Sequence, residues 1–283
     1  MIMTEPWTTL LAALWAVARL LVLAYMVVLL FVYLTQSRLI YYPQVPERGL
    51  HGTPADLDLD FTEVTVTTAD GVRLHGWFIP HEPARGTVLF FHGNAGNIGH
   101  RLGTLELLHQ MGLNVMLFDY RGYGRSGGRP SEQGTYRDAE AVWGYLTADR
   151  GLAPDSIVLF GRSLGGAVAA WLAARVPAGA LVLDSTFTSV PDLAAEVYPF
   201  LPARWLSRFR YDSKQQLADI TEPVLVIHGE DDAVIPFHHG RALFAAAPEP
   251  KEFLTLRGGH NSAHAFDRET FRGGLEGFLS RHL

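Results

Sequence analysis

The amino-acid sequence predicts an α/β fold, with a mostly parallel central sheet covered by helices on both faces. Short apolar segments typical of buried strands alternate with longer segments of helical pattern along most of the chain. One of these strands, Ile157 to Phe160, runs without a loop into a helix of small residues, Leu164 to Ala174. An antiparallel hairpin at the start of the alternation is expected to form one edge of the sheet.

The composition fits one large domain with a full hydrophobic core. Of the 283 residues, 48% are hydrophobic and 18% are charged, which is enough for one α/β domain of about 200 to 250 residues. The net charge of −6 argues against a nucleic acid as partner. The chain has no cysteine, which excludes disulfides, a thiol nucleophile and thiolate zinc sites.

Residues 1–36 are predicted to form an amino-terminal membrane anchor. Trp7 to Leu34 is nearly continuous apolar sequence in which Arg19 is the only charge. Its Leu, Val and Phe residues contribute roughly −4 to −9 kcal/mol to insertion, which exceeds the cost of about +3 kcal/mol for one arginine. A cleaved signal peptide is the alternative, but its apolar part is shorter and follows basic residues, whereas Glu5 precedes this run. Arg38 follows the span and favours a cytoplasmic carboxyl side, without settling the orientation.

Residues 37–60 are predicted to be a linker, in which Tyr41 and Tyr42 are expected at the membrane interface. The main domain, residues 61–283, opens with two alternating segments, Phe61–Thr67 and Val72–Ile79, around the turn Ala69-Asp70-Gly71. Further strands are predicted at Thr87–Phe91, Asn114–Phe118, Ile157–Phe160, Ala180–Leu183, Val224–His228 and Glu252–Leu256. Helices are predicted at Ile98–Met111, Glu132–Thr147, Leu164–Ala174, Phe237–Ala247 and Ser262–Leu279.

One stretch of the main domain, residues 185–216, interrupts this alternation and is called the cap segment below. It is rich in aromatic residues and prolines, and it lies between two predicted strands near the carboxyl edge of the sheet. Ligands bind at that edge in folds of this class. The segment is therefore expected to form a small cap over a site there, with ordinary surface helices as the alternative.

The pattern Gly161-Arg162-Ser163-Leu164-Gly165 joins a predicted strand to a predicted helix. Chance gives the pattern in roughly one such chain in ten, but its position between strand and helix is that of a nucleophile elbow. A serine on so sharp a turn has a strained backbone, which requires neighbours without side chains two positions away. Gly161 and Gly165 meet that need. Ser163 is therefore the candidate nucleophile, with an ordinary glycine-rich turn as the alternative.

A serine nucleophile needs a base, a group that orients the base, and donors for an oxyanion. After Ser163 the chain offers an acidic loop at residues 228–236 and then a loop at residues 258–261 that contains His260. Each follows a predicted strand, so both lie at the carboxyl edge of the sheet. Upstream, the glycine-rich turn of residues 92–97 can complete an oxyanion hole together with the N–H group of Leu164.

Together these features resemble the α/β-hydrolase superfamily across residues 61–283. The motifs Tyr41-Tyr42-Pro43, His92-Gly-Asn-Ala-Gly-Asn97, Asp119-Tyr-Arg-Gly-Tyr-Gly124 and Gly161-Arg-Ser-Leu-Gly-Gly166, with the anchored start, are similar to those of the ABHD13, ABHD17 and Bem46-like membrane-associated serine hydrolases. The resemblance implies that Ser163 is the nucleophile, Asp232 the acid and His260 the base. It further implies that the N–H groups of Asn94 and Leu164 form the oxyanion hole, and that no cofactor is needed.

Other acidic residues compete for the role of the acid. Asp231 adjoins Asp232, but neighbouring residues of an extended loop point apart and the family spacing selects Asp232. Asp184 ends the preceding predicted strand, from which some members of the fold take their acid. Asp119 is expected to brace the turn at Arg121.

The remaining polar residues are expected to have structural roles. His264 is expected on a face of the last helix, and Arg162 either meets an anionic substrate group or faces another loop. The pair His238-His239 and the acidic residues 230–232 suggest a metal, but no second cluster closes such a site. No metal is therefore expected.

The sequence thus predicts a membrane-anchored serine hydrolase that cleaves carboxylic esters or thioesters of acyl substrates, with the lipid bilayer as a partner. A serine peptidase of the same fold is one alternative, although the acidic pocket it needs for an amine is not identifiable. A non-catalytic anchored scaffold is the other, and the intact set of Ser163, Asp232 and His260 counts against it. Acyl length and oligomeric state stay open.

Overall fold

The computed structural model describes residues 6–283 and contains one eight-stranded sheet. The strands are β1 Thr62–Thr67, β2 Arg73–Ile79, β3 Gly86–Phe91, β4 Leu113–Phe118, β5 Ile157–Arg162, β6 Ala180–Asp184, β7 Val224–Gly229 and β8 Lys251–Leu256. Their order in the sheet is β1-β2-β4-β3-β5-β6-β7-β8. Strand β2 is antiparallel to both of its neighbours, β1 and β4, and all other neighbouring strands are parallel. The predicted α/β fold with a mostly parallel sheet is therefore confirmed.

Helices cover both faces of the sheet, and three of the five helices predicted for the main domain are not continuous α-helices. The helix that begins at Glu132 passes into a π-helical turn, Tyr145–Asp149. The segment that begins at Ile98 starts as a 3₁₀ turn, Ile98–Arg101, because the Asn97 side chain accepts the N–H of Gly99. The last predicted helix is broken at Asp267, whose carboxylate accepts the N–H of Arg257 at 3.0 Å. The α-helices are α1 Pro6–Ile40, α2 Leu102–Gln110, α3 Glu132–Gly144, α4 Leu164–Ala173, α5 Val190–Val197, α6 Ala203–Leu206, α7 Ser213–Gln216, α8 Phe237–Ala246, α9 Ala263–Phe266 and α10 Arg268–His282.

The wholly apolar strands are explained by a core on each side of the sheet. In β5, Ile157 and Leu159 pack into one core while Val158 and Phe160 pack into the other. Successive side chains of a strand point to opposite faces, so a strand covered on both sides needs an apolar residue at every position. The central strand that ends at Ser163 is fixed in this way from both faces.

Helix α1 is long and apolar enough to cross a membrane. Its 35 residues extend about 52 Å, well beyond the roughly 30 Å of a hydrocarbon core. The carboxyl end continues into the predicted linker and packs on the main domain. There the Gln36 side chain donates to the carbonyl oxygen of Leu206 and accepts the N–H of Arg208, each at 2.8 Å.

The residues directly after α1 are held by the main domain. Tyr41, which was expected at the membrane interface, is only 5% exposed. Its hydroxyl lies 2.8 Å from that of Tyr211, a residue of the cap segment. The expectation for Tyr41 is therefore wrong, because a buried partner 170 positions away outweighs the interfacial preference of an isolated tyrosine.

The position of Leu159 predicts a large stability effect. We expect Leu159→Ala to lower the free energy of unfolding by about 2–5 kcal/mol, because it removes buried methyl groups and leaves a cavity. Val197→Ala, at a residue that is 52% exposed, is the control and should cost less than about 0.5 kcal/mol. Urea denaturation in detergent, followed by tryptophan fluorescence, measures both. Equal costs for the two variants would contradict the two-sided core.

Candidate active site

Ser163 occupies a strained turn between β5 and α4. Its φ of 53° and ψ of −122° lie in a region that residues with a side chain rarely adopt. A Cβ atom at Gly161 would collide with the carbonyl oxygen of Gly165, and one at Gly165 would collide with the carbonyl oxygen of Phe91. The two glycines therefore allow the turn to lie against β3. Hydrogen bonds hold the backbone of Ser163 itself: its N–H donates to the carbonyl oxygen of Asp184 at 2.9 Å.

The structure brings Ser163, His260 and Asp232 into one hydrogen-bonded chain. The Oγ of Ser163 lies 3.2 Å from Nε2 of His260, and Nδ1 of His260 lies 2.7 Å from Oδ2 of Asp232. The first pair is 97 positions apart in the sequence and the second 28. His260 follows β8 and Asp232 follows β7, so the parallel sheet brings both to the edge where Ser163 follows β5.

Asp232 is held in its ionised form. Burial alone would raise its pKa, but the hydrogen bond and charge of His260 lower the pKa of Asp232 below its usual range, helped by backbone donors. Those donors are the N–H groups of Val234 and Ile235, which bond to Oδ1 at 2.9 and 2.8 Å. An ionised carboxylate at Nδ1 holds the imidazole proton on that nitrogen, so the lone pair of Nε2 faces Ser163.

His228 is hydrogen-bonded to the loop that carries Asp232, a role that was not predicted from the sequence. Its ring is fully buried, and burial lowers the pKa of His228, so the ring is neutral. Its Nε2 lies 2.8 Å from the carbonyl oxygen of Ile235, to which a protonated Nε2 donates. The only sequence signal was the position of His228 at the end of a strand.

Asp184, the alternative candidate for the acid, contacts residues other than His260. It is buried, with its carboxylate 2.8 Å from Nε2 of His264 and 3.6 Å from Nε of Arg162. Burial alone would raise the pKa of Asp184, but His264 and Arg162 lower it to about 2. His264, expected on a face of the last helix, thus lies in α9 against the carboxylate of Asp184. Arg162 faces another loop, which was one of the two alternatives for this residue: its guanidinium donates to the carbonyl oxygen of His260 at 2.6 Å.

The other two acidic residues considered above lie away from His260. Asp231 is exposed, and its N–H bonds to the carbonyl oxygen of Gly258. The buried Asp119 accepts the N–H of Ile98 at 3.0 Å. Arg121 is bound not by Asp119 but by two other carboxylates, those of Asp138 and Asp70, each at 2.8 Å.

The loop of residues 92–97 lies beside Ser163 and is bonded to the end of α1. The carbonyl oxygen of Asn94 accepts the N–H of Tyr42 at 3.0 Å and the hydroxyl of Tyr123 at 2.9 Å. The side-chain amide of Asn94 donates to the carbonyl oxygen of Ile40 at 3.0 Å. Within residues 6–283, the backbone N–H groups of Asn94 and Leu164 donate no hydrogen bond. Both residues line the cavity that contains Ser163.

That cavity has a volume of about 490 Å³. Ser163, His260 and Asn94 contribute polar groups to its lining, which is mainly apolar. Part of this wall comes from the cap segment, in particular Phe187, Val190, Leu193, Val197 and Leu201. A further part comes from α1, through Val32, Gln36, Leu39 and Ile40.

A metal site was not expected because no second cluster was evident, yet Glu196 of α5 approaches His238 and His239 of α8. Their ligand atoms all lie within 4.8 Å of one another. However, Nδ1 of His239 accepts the N–H of Thr188 at 3.2 Å, which places the proton on Nε2, the atom that faces Glu196. With that tautomer, Nε2 is a hydrogen-bond donor and not a metal ligand. None of the three residues lines the cavity described above.

Comparisons with known proteins agree with this architecture. Residues 86–218 match a protein family described as alpha/beta hydrolase fold. The chain is 42% identical over 259 residues to the uncharacterized protein Rv2307c of Mycobacterium tuberculosis, covering 89% of this chain and 90% of that protein. It is 39% identical over 232 residues to the alpha/beta hydrolase domain-containing protein WAV2 of Arabidopsis thaliana, covering 75% of each. Among solved structures, the Pyrococcus furiosus esterase Pf2001 is similar in fold, with a TM-score of 0.68, 23% identity, and coverage of 82% of this chain and 94% of that one.

The ion pairs of Asp184 predict a pH effect on stability. Because its pKa in the folded protein is about 2 and its ordinary value is 3.8, its stabilising contribution is complete above pH 4 and is lost as the pH falls towards 2. The other carboxylates titrate in both proteins, so we expect Asp184→Asn to lose roughly 2 kcal/mol less stability than the wild type over this range. Urea denaturation over this pH range measures it, and the exposed Asp155→Asn should keep the wild-type slope. An equal loss of stability in Asp184→Asn and the wild type would contradict the assignment.

Proposed function

Because the chain belongs to the α/β-hydrolase superfamily, we propose that it is a serine hydrolase that cleaves carboxylic ester or thioester bonds of acyl substrates. The observation that carries this proposal is the hydrogen-bonded chain from Ser163 through His260 to Asp232. Within the superfamily, we propose that it belongs with the anchored ABHD13, ABHD17 and Bem46-like hydrolases, with α1 as a single-pass anchor.

In the first step, Ser163 Oγ attacks the carbonyl carbon of the substrate while Nε2 of His260 takes its proton. Asp232 keeps the imidazole in the tautomer that can accept this proton and stabilises the imidazolium that forms. The tetrahedral intermediate then expels the alcohol or thiol, which receives the proton from His260. The acyl group stays on Ser163 as an ester.

The oxyanion of the tetrahedral intermediate is stabilised by backbone donors. The N–H of Leu164 lies at the amino-terminal end of α4, where unpaired N–H groups and the helix dipole favour negative charge. The N–H of Asn94 is proposed as the second donor. A donor of this kind is worth about 3 to 4 kcal/mol in comparable sites.

In the second step, water hydrolyses the acyl-enzyme. His260 takes a proton from water, the resulting hydroxide attacks the acyl carbon, and the same N–H groups stabilise the second oxyanion. Collapse releases the carboxylic acid and returns the proton to Ser163. No cofactor is required for either step.

The proposed substrate class rests on the cavity. The polar groups around Ser163 fit a carbonyl group, and the apolar part of the lining, which includes Leu193 and Leu201, fits a hydrocarbon chain. An acyl ester or thioester has both parts. The candidate membrane span α1 contributes to the same wall, and we propose that the enzyme works at a membrane.

Removal of the proposed nucleophile should abolish the reaction. Ser163→Ala is expected to reduce hydrolysis of p-nitrophenyl butyrate by roughly 10³-fold or more, because no other group there can form the acyl-enzyme. The control, Ser156→Ala, lies in the turn before β5 at the opposite edge of the sheet and should keep wild-type turnover. Spectrophotometric assays of the two purified variants make the comparison. Full activity in Ser163→Ala would refute the proposal.

A second prediction concerns the acid. Asp232→Asn should lower kcat by on the order of 10³- to 10⁴-fold, because an amide no longer holds the required tautomer of His260. Asp184→Asn should lower kcat less than about tenfold per folded molecule, because Asp184 pairs with His264 and not with His260. Circular dichroism establishes the folded fraction of each. The opposite ranking would assign the acid to Asp184.

A further inference from the structure

The tip of the cap segment exposes two large apolar side chains. Phe200, in the turn after α5, is 89% exposed, and Trp205, on α6, is 92% exposed. Among the described residues these are the two most exposed large hydrophobic side chains, more exposed than any on α1. Such a pair on one tip marks an interaction surface.

This tip lies alongside α1. The hydroxyl of Tyr25 donates to the carbonyl oxygen of Phe200 at 2.9 Å. Further along, Gln36 bonds to the backbone of Leu206 at 2.8 Å. Tyr25 and Gln36 are 11 positions apart, or about 16 Å along a helix axis. The cap segment therefore follows the helix for about three turns.

The contact with Tyr25 places the tip at the depth of the acyl chains. The apolar run of α1 ends at Leu34 and is followed by Thr35-Gln36-Ser37-Arg38, so the membrane surface crosses the helix near this point. Tyr25 lies nine positions before Leu34, or about 13 Å deeper. That depth is within the half-thickness of about 15 Å of a hydrocarbon core.

Most backbone N–H groups of the tip are hydrogen-bonded within the protein, which suits an environment where unpaired polar groups are costly. Pro199 and Pro202 have no N–H group. The N–H groups of Leu201 and Trp205 donate to the carbonyl oxygens of Tyr198 and Pro202 at 3.0 Å each. The carbonyl oxygen of Phe200 accepts the Tyr25 hydroxyl, a bond within the protein that needs no water.

The cavity of Ser163 reaches the same face of the molecule. Val32 and Leu39 of α1 form its wall together with Val197 and Leu201 of the cap segment. The space between the helix and the cap segment is therefore continuous with the space beside Ser163. A hydrocarbon chain that lies beside α1 in a leaflet has an apolar route to the serine.

We propose that the acyl chain of the substrate reaches Ser163 sideways from the bilayer, between α1 and the cap segment, and that Phe200 and Trp205 are embedded in the leaflet beside this opening. The inference rests on the proposed hydrolase function and extends it to substrates whose acyl chain is already inserted in a membrane. The reactive carbonyl lies at the polar end of such a chain, near the headgroups, and the chain itself need not cross water.

Two substrates separate this inference from the proposed function. The full-length protein is reconstituted in phosphatidylcholine vesicles and supplied with soluble p-nitrophenyl butyrate or with p-nitrophenyl palmitate dissolved in the same vesicles. The double variant Phe200→Ser, Trp205→Ser should lose palmitate hydrolysis by roughly tenfold or more and keep butyrate hydrolysis within about twofold, because only the first requires the embedded tip. Phe266→Ser, at a phenylalanine of α9 that is 68% exposed, is the matched control and should change neither.

Unchanged palmitate hydrolysis in the double variant would overturn the inference, as would an equal loss of both activities. If the wild type hydrolyses neither the butyrate nor the palmitate ester, the proposed hydrolase function is overturned instead.

A second measurement tests the depth of the tip directly. The chain contains no cysteine, so Phe200→Cys provides a single labelling site for an environment-sensitive dye. In vesicles that contain lipids with a nitroxide on the acyl chain, the dye at position 200 should be quenched. A dye on Asp155→Cys, in the turn before β5 at the opposite edge of the sheet, should not be quenched. Equal quenching at the two positions would overturn the inference.

Discussion

The site depends on one backbone turn. Ser163 lies at a positive φ between a buried strand and a helix, a conformation that costs on the order of 1–3 kcal/mol and persists only where its surroundings enforce it. The two cores fix β5 from both faces. The start of α4 leaves no room for a side chain at Gly161, and β3 leaves none at Gly165. The turn presents Oγ at the carboxyl edge of the sheet and an unpaired N–H of Leu164 next to it. The loops after β7 and β8 then need only bring Asp232 and His260 to that edge.

The candidate membrane helix is physically part of this site. Its last turns form a wall of the cavity, and Ile40 and Tyr42 are hydrogen-bonded to Asn94, whose N–H is the proposed second oxyanion donor. A helix that served only to tether the protein would need no such contacts. The arrangement links the position of α1 to the geometry of the oxyanion loop, so that membrane attachment and the proposed chemistry share one set of interactions. Embedding the exposed side chain of Phe200 in a leaflet would add about 1.5–3 kcal/mol to attachment.

Much of this could be predicted from the sequence because it depends on local patterns. The strand and helix alternation, the glycines that flank Ser163 and the polar loops after strands are visible as periods and short motifs. The contact of Asp184 with His264 and the burial of Tyr41 against Tyr211 were not predicted. Each joins residues that are far apart in the sequence and leave no periodic signal. The approach of Glu196 to the adjacent histidines of α8 was missed for the same reason, since it depends on how the cap segment folds over the sheet.

The proposed mechanism is tested most directly by identifying the atom that acts as the nucleophile. A fluorophosphonate reacts covalently with an activated serine, and proteolysis followed by mass spectrometry locates the adduct. Our account predicts a single adduct on the peptide that contains Ser163, formed by the native protein and not after denaturation, since the reactivity requires His260 at 3.2 Å from Oγ. An adduct on a different serine, or no adduct on the native protein, would contradict it.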